Sequence, residues 1–306
     1  MATGFMEFTG ERYLPSLKGQ INYEHFHRYV LSLEFAAGKS VLDLASGEGY
    51  GSALMARVAK SVTGVDIDPE AVEQARQQYA NYHNLNFLVG ACKSVPLPAQ
   101  SVDVVVSFET IEHHDKHQEM MREIKRVLRP QGALIISSPD RLTYSDEPNN
   151  HNPFHVKELY YDEFVDLLNR YFQSVQVYGQ KFTTGSFIFP LRGSDTVSFK
   201  SYVRDGNAVA QETCRLRAPI YFVAVCSDGE IDSSQILNSV YIDNDDDVLR
   251  SLWGELAQMQ AQLQQAYTEL GRLKGVILGM ESSRFWKLRA QFVKIKQFMG
   301  LMPASK

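Results

Sequence analysis

An α/β fold with a doubly wound, largely parallel sheet is predicted by three features of this 306-residue chain. Short apolar runs alternate with stretches of helical patterning between residues 39 and 228, the arrangement that gives parallel strands joined by crossover helices. The first run, 41–45, leads straight into Gly47, Gly49 and Gly51, which let backbone come close to a ligand. The second run ends Val65-Asp66-Ile67-Asp68-Pro69, so a carboxylate stands at the carboxyl end of a strand, where such sheets bind ligands and can hold ribose hydroxyls.

The elements follow in order. Residues 1–38 read as an N-terminal cap, polar and turn-rich to about 22 and helical from 23 to 37. Strands are expected at 40–45, 61–66, 86–89, 102–108 and 133–138, with a helix directly after the first and others at 69–80 and 116–128. A helix at 161–171 and strands near 172–178 and 219–227 complete the domain 39–228. Between those last strands, 180–217 is expected to be a loop insertion, because Gly185, Pro190, Gly193 and Gly206 interrupt it. Long loops of this kind often bind.

Residues 229–247 form an acidic linker that ends Asp245-Asp246-Asp247, which also suits a helix start. Beyond it Leu249, Leu252, Leu256, Met259, Leu263, Ala266, Leu270, Leu273, Ile277 and Met280 fall at alternating spacings of three and four, a heptad seam. The segment 248–281 is therefore expected to be a coiled-coil helix that makes the protein a homo-oligomer. A lone amphipathic helix is the alternative, since Gly254, Gly271, Gly275 and Gly279 each weaken a helix by up to about 1 kcal/mol. In 282–306, Arg284, Lys287, Arg289, Lys294, Lys296 and Lys306 alternate with Phe285, Trp286, Leu288, Phe292, Ile295 and Phe298, with no acid. Such a basic amphipathic tail fits either an anionic membrane surface or an acidic partner protein.

Composition bounds the rest. An apolar content of 44% supports a sizeable core, and a net charge of -5 carries no global nucleic-acid signal. Cys92, Cys214 and Cys226 lack metal or disulfide spacing, which suggests a reducing compartment, and Cys92 and Cys226 look like small core hydrophobes. The start of the chain shows no signal-peptide pattern, and no apolar stretch approaches the ~20 residues that span a bilayer. The expected location is cytoplasmic, peripheral to the inner face of the membrane where the tail takes the lipid surface and not the partner protein.

The order Asp43-Leu44-Ala45-Ser46-Gly47-Glu48-Gly49-Tyr50-Gly51 departs from the dinucleotide fingerprint G-x-G-x-x-G, which holds a pyrophosphate on a helix N-terminus. Glu48 would turn an anion into a loop meant for phosphates, and Asp43 suits a cationic guest better. These residues resemble the first motif of the class I S-adenosylmethionine-dependent methyltransferases, acid-x-G/A-x-G-x-G. The resemblance continues through Asn86-Phe87-Leu88-Val89-Gly90-Ala91-Cys92, Val95-Pro96-Leu97-Pro98, Ser101-Val102-Asp103-Val104-Val105 and Leu128-Arg129-Pro130-Gln131-Gly132. It implies a Rossmann-like sheet of seven strands and S-adenosyl-L-methionine as the cofactor. It implies that Asp43 holds the methionine ammonium or orders the loop, and that Asp66 binds both ribose hydroxyls. Ala45, Ser46, Gly47, Gly49 and Ile67 then lie around the cofactor, with Phe108 beside its methionine part. Ala91 stands where the family often has an aspartate, so adenine recognition is expected from the backbone of Ala91 and Cys92. Asp68 is expected to cap the helix that begins at Pro69.

Methyl transfer from a sulfonium is an in-line displacement that needs alignment and exclusion of water, and an alcohol acceptor needs a general base as well. The run Ser107-Phe108-Glu109-Thr110-Ile111-Glu112-His113-His114-Asp115 leaves the strand 102–108 toward the ligand crevice. His113 is the first candidate base and His114 the second. The alternative is that Glu109, Glu112 and His113 cap the next helix and fix the loop. Asn149 to His155, together with Tyr23, His25, His27 and Arg28, offers a polar acceptor pocket, in which Tyr23, His27, Arg28, His151 and His155 are the candidate substrate-binding residues. Such side chains suit hydroxyl-rich substrates. No metal site is expected, because His113, His114 and His117 at a helix start point apart.

Gly10-Glu11-Arg12-Tyr13-Leu14-Pro15, Glu24-His25-Phe26-His27-Arg28-Tyr29 and the run 107–113 are similar to methyltransferases associated with bacterial surface polysaccharides. That similarity implies a sugar or glycan acceptor methylated on oxygen. The run 107–113 also resembles methyltransferases of quinone precursors and secondary metabolites. A third reading is a coiled-coil scaffold that binds cofactor only to stabilise itself, against which the intact Asp43 and Asp66 count.

Overall fold

The computed structural model describes residues 19–183, 201–205, 208–212, 216, 218–231, 239–241 and 247–300. Two compact units divide the chain, 1–244 and 245–306. Expectations that rest on residues 1–18, Cys214, most of the 180–217 insertion, most of the acidic linker and Lys306 lie outside the described residues.

In the first unit, α1 (Gln20–Ala36) precedes β1 (Ser40–Leu44), α2 (Tyr50–Ala56), β2 (Ser61–Asp66), α3 (Pro69–Gln78), β3 (Leu85–Val89) and β4 (Val102–Ser107). A 3-10 turn (Ile111–His113), α4 (His117–Val127), β5 (Leu128–Pro139), a π-helical turn (Leu142–Asp146), α5 (Tyr161–Asn169), β6 (Ser174–Gln180), β7 (Ser201–Asp205), β8 (Ala208–Glu212) and β9 (Tyr221–Ser227) complete it. Seven strands form one sheet in the order β3-β2-β1-β4-β5-β9-β6. The first five are parallel, and β9 runs antiparallel to both β5 and β6. The order reverses between β1 and β4, and the crevice beyond their carboxyl ends is the place where a doubly wound sheet takes its ligands.

The central strands β1, β4 and β9 are buried on both faces, as strands covered by helices on either side should be. Successive residues alternate between two cores: Leu42, Leu44, Val105, Leu134 and Ile136 pack with Met120, Ile124 and Phe164 from α4 and α5. Val41, Val104, Val106, Ile135 and Val225 pack on the opposite side with Tyr29, Phe35 and Met55 from α1 and α2. Cys226 is wholly buried, as a small core hydrophobe should be, whereas Cys92 is only partly buried and burial pushes its thiol up to about 12, which leaves it unreactive. Asp68 caps α3 by accepting the Glu70 N–H at 2.8 Å.

Two differences from the sequence reading concern β structure. β5 begins at Leu128, five residues earlier than its apolar run suggests, because Val102 pairs with Leu128 while Val104 pairs with Ala133 and the residues between bulge out, with Gln131 at φ 63°. Within the insertion read as loop, β7 and β8 form an antiparallel pair from Ser201↔Glu212 to Asp205↔Ala208.

In the second unit, α6 (Asp247–Ser282) is one helix of 36 residues, about 54 Å long at the standard rise, followed by α7 (Arg284–Phe298). Ser283 caps α7, accepting the Trp286 N–H at 3.2 Å. The seam residues Leu249, Leu252, Leu256, Met259, Leu263, Leu270, Leu273, Ile277 and Met280 are all exposed on α6. No helix among the described residues is long and apolar enough to cross a membrane.

Candidate active site

A cavity of about 530 Å³ opens at the carboxyl ends of β1, β2 and β4. Its first end is built from the β1–α2 loop. Ala45, at φ 67°, ends β1 with its N–H on the Val65 carbonyl at 2.8 Å, a left-handed conformation that costs a non-glycine residue energy and recurs at ligand sites. The turn is tied to β2 because Asp66 Oδ2 accepts the Gly47 N–H at 2.8 Å, while Oδ1 accepts that of Asp68 at 3.0 Å. A carboxylate has lone pairs left after two such bonds, so Asp66 can still accept from a ribose diol. Ile67 beside it is 71% exposed and also lines the cavity, an apolar face on which a planar base can lie. Ser46 Oγ is buried with no hydrogen-bond partner among the described residues. Ala91, Cys92 and Gly90 form the wall after β3, and Phe108 the wall after β4. An orphaned hydroxyl, a diol-accepting carboxylate and an apolar shelf with no cation for phosphate in the glycine turn fit an adenosyl sulfonium.

Asp43 and Gly49 are placed differently from the cofactor contacts expected of them. Asp43 is wholly buried behind the loop, accepting from Tyr29 Oη at 3.2 Å and from Ser52 Oγ at 2.5 Å, and does not line the cavity. Its hydrogen bonds join β1 to α1 and α2 on either side of the loop. Gly49 starts α2 in the left-handed region at φ 81°, and a Cβ there would lie 2.5 Å from Phe87 Cε1, so its missing side chain serves packing against β3.

Burial raises the Asp43 carboxyl from 3.8 to about 7, the largest cause being desolvation. The folded protein then holds a proton that the unfolded chain releases near 3.8. This contribution to stability is full below that value and is lost as pH rises toward 7, amounting to a few kcal/mol, about 1.4 kcal/mol for each unit of difference. Asp43→Asn is expected to flatten urea stability between pH 4 and 7. A slope equal to that of the unsubstituted protein would contradict the assignment.

The second end of the cavity is polar. Glu109, at φ 47°, leaves β4 with its N–H on Ser137 Oγ at 3.0 Å, and its carboxylate pairs with Arg28 and accepts from Ser137 Oγ at 2.8 Å. Arg28 is 1% exposed, lies 4.7 Å from the Tyr221 ring centre and is committed to this support, so it is withdrawn from the substrate role expected of it. Tyr23 and His27 also lie off the cavity wall. The Tyr23 ring meets Phe182 and Tyr241 edge-on, and His27 Nε2 bonds Ser239 Oγ at 2.9 Å, because both point from α1 toward chain beyond β6 and β9. His151 is exposed and outside the cavity. His155 does line it, with His113, His114, Tyr144, Asn152 and Tyr221.

The histidine protonation follows from their partners. His113 Nδ1 faces the Phe154 carbonyl at 3.0 Å and so carries the proton, leaving Nε2 as its basic nitrogen. His114 Nδ1 accepts the Lys116 N–H at 3.1 Å, so its Nε2 is the donor, and that atom is buried without a hydrogen-bond partner among the described residues. Burial, then His117, lowers the His114 pKa and keeps it neutral at pH 7. His113 therefore keeps a nitrogen able to accept a proton, and His114 presents one able to donate a hydrogen bond.

Glu112, for which a helix cap was the alternative reading, is 1% exposed, lines the cavity and has both carboxyl oxygens without a hydrogen-bond partner among the described residues. Burial first, then the charge of Glu109, holds its carboxyl well above the usual range. Tyr144 and Tyr221 lie in no motif of the sequence, and Tyr29 and Tyr50 lie in motifs but have no site role expected of them. They reach the cavity from a π-helical turn, the antiparallel strand β9 and a helix face, and only the tertiary fold assembles them.

Residues 42–136 match the family model described as a methyltransferase domain. A Mycolicibacterium smegmatis protein named "Probable S-adenosylmethionine-dependent methyltransferase" is 39% identical over 168 residues, which is 53% of this chain and 63% of that protein. A Mycobacterium tuberculosis protein of the same description is 39% identical over 170 residues, 53% of this chain and 60% of that protein. The mitochondrial ubiquinone biosynthesis O-methyltransferase of Schizosaccharomyces pombe is 32% identical over 109 residues, 34% of this chain and 39% of that protein. The matches thus span less than two thirds of these relatives' own lengths.

Proposed function

We propose that this chain, which carries a class I S-adenosylmethionine-dependent methyltransferase domain, methylates a hydroxyl oxygen of a sugar or glycan. The cofactor of such a domain is S-adenosyl-L-methionine. The observation that carries the acceptor reading is the polar end of the cavity, where Glu112, His113, His114, Asn152, Tyr144 and His155 face one space beside Phe108. Hydrogen-bonding groups clustered in this way suit a polyhydroxylated guest, because each would be left unpaired by an apolar one.

In this reading the acceptor oxygen attacks the methyl carbon in line. The oxygen–carbon bond forms as the carbon–sulfur bond breaks, its electron pair stays on sulfur, and His113 Nε2 takes the hydroxyl proton. His114 Nε2 donates to a neighbouring oxygen and orients the acceptor. Arg28 and Glu109 hold the loop after β4 in place, and Tyr29, Tyr50 and Phe108 exclude water.

The test is transfer of a labelled methyl group to extracts of surface glycans. His113→Ala is expected to lower kcat by roughly 10²- to 10⁴-fold with binding of S-adenosylhomocysteine unchanged. Label that enters only a phenolic quinone precursor would favour the second reading. That reading has its own support in the similarity to the ubiquinone O-methyltransferase and in the aromatic rings of Tyr144, Tyr221 and Phe108.

The exposed seam of α6 supports association of two or more copies as a coiled coil, and the acid-free α7, with Phe285, Leu288, Phe292 and Ile295 exposed among five basic residues, supports contact with an anionic surface on the cytoplasmic side. Leu263→Asp is expected to return the protein to a monomer, and light scattering that still reports the original mass would defeat the association.

A further inference from the structure

We propose that Glu112, His113 and His155 bind a divalent first-row transition-metal cation of the Zn²⁺ or Mn²⁺ type at the acceptor end of the cavity. One potential ligand atom from each of the three lies within 4.8 Å of the others. The sequence separates His155 from the other two by some forty positions, and the fold closes that distance in a specific way. The Glu112 carbonyl accepts the N–H groups of Val156 at 2.8 Å and Lys157 at 3.0 Å, which pins the loop carrying His155 to the 3-10 turn carrying Glu112 and His113.

Three further observations point to a cation. Both Glu112 oxygens are buried and lack hydrogen-bond partners among the described residues, a costly state for a carboxyl group that a cation would relieve. His113 is held through Nδ1 by the Phe154 carbonyl at 3.0 Å, and His155 through Nδ1 by Glu158 Oε1 at 2.5 Å. A backbone carbonyl or a carboxylate on the far ring nitrogen is the support that metal-binding imidazoles receive, and it fixes Nε2 as the ligand atom. The two rings stand edge to face with centres 5.2 Å apart. At present Asn152 Nδ2 donates to His155 Nε2 at 3.0 Å, so cation binding turns that amide aside.

Two imidazoles and one carboxylate favour zinc or manganese over magnesium, which prefers oxygen ligands, and three protein ligands leave positions open for substrate. The role of the cation rests on the methyl-transfer reading: an acceptor hydroxyl bound at an open position becomes more acidic, its proton leaves to water at the cavity mouth, and the metal-held oxygen takes the methyl group. His113 then serves as ligand in place of base.

The test uses the full chain without an affinity tag, stripped with chelator and titrated calorimetrically with ZnCl₂ or MnCl₂ alone. The expected result is one equivalent bound per chain, lost in Glu112→Gln and His155→Ala, with Glu158→Gln weakening affinity by roughly 10- to 100-fold. Absence of one-to-one binding of either ion, or binding that these three substitutions leave unchanged, overturns the proposal. Titration of each variant with S-adenosylhomocysteine reports whether it is folded. Metal binding without S-adenosylhomocysteine binding would reject the methyl-transfer reading and keep the metal site; the converse would restore His113 as the proton acceptor.

Discussion

Asp66→Ala is expected to reduce S-adenosylhomocysteine affinity by roughly a hundredfold or more, since hydrogen bonds to a charged group contribute about 1.5–3 kcal/mol each and a ribose diol makes two. The structure adds a second cause. The same carboxylate accepts the Gly47 and Asp68 N–H groups, so its removal also frees the glycine turn from β2. Asp66→Asn separates the two effects, because an amide oxygen keeps one acceptor while the negative charge is lost. Calorimetric titration decides the matter, and an affinity for Asp66→Ala within about threefold of the unsubstituted protein would remove Asp66 from the ribose site.

Gly49→Ala is expected to destabilise the fold by about 2–5 kcal/mol, the sum of a left-handed conformation forced on alanine and overpacking of a filled site. The new Cβ would lie 2.5 Å from Phe87 Cε1 and 3.1 Å from Ala75 Cβ at a backbone φ of 81°. Phe87→Leu in the same chain should recover the overpacking share and leave the conformational share, which a double-mutant cycle in urea measures. Molecules that remain folded should bind S-adenosylhomocysteine normally, because Gly49 is not on the cavity wall. A melting profile unchanged by Gly49→Ala would refute the packing role.

The contrast between these two residues shows how far local sequence reaches. Asp66 was legible as a ligand-side carboxylate because a strand of alternating burial must end where its apolar run ends, and the acid stands at that end. Gly49 was legible as a special backbone position, yet whether a glycine makes room for a ligand or for a neighbouring ring depends on what β3 places opposite it. Asp43 shows the same limit: its motif marks it as important, but its burial behind Tyr29 and Ser52 is a matter of how α1 and α2 pack.

At the acceptor end the local signal was weaker still. Arg28, Tyr23 and His27 share a polar side-chain type with His155 but not its place: Arg28 turns inward onto Glu109, while the Tyr23 ring meets Phe182 and Tyr241 and His27 bonds Ser239. His113 and His114 are adjacent and look alike in the sequence. Their partners, the Phe154 carbonyl and the Lys116 N–H, give them opposite protonation patterns.

By itself the sequence determined the order of the strands and helices of the main sheet, the crevice at the strands' carboxyl ends and a long helical segment after the acidic linker, because these depend on hydrophobic periodicity and turn residues read over short windows; the β7–β8 pair inside the insertion left no such pattern. Tertiary structure alone decided that β9 inserts antiparallel between β5 and β6, bringing Tyr221 to the cavity, and that the loop after β5 folds back on the Ile111–His113 turn to set His155 against Glu112 and His113. Those juxtapositions arise from hydrogen bonds and packing between segments far apart in the chain, which leave no periodic trace in either segment.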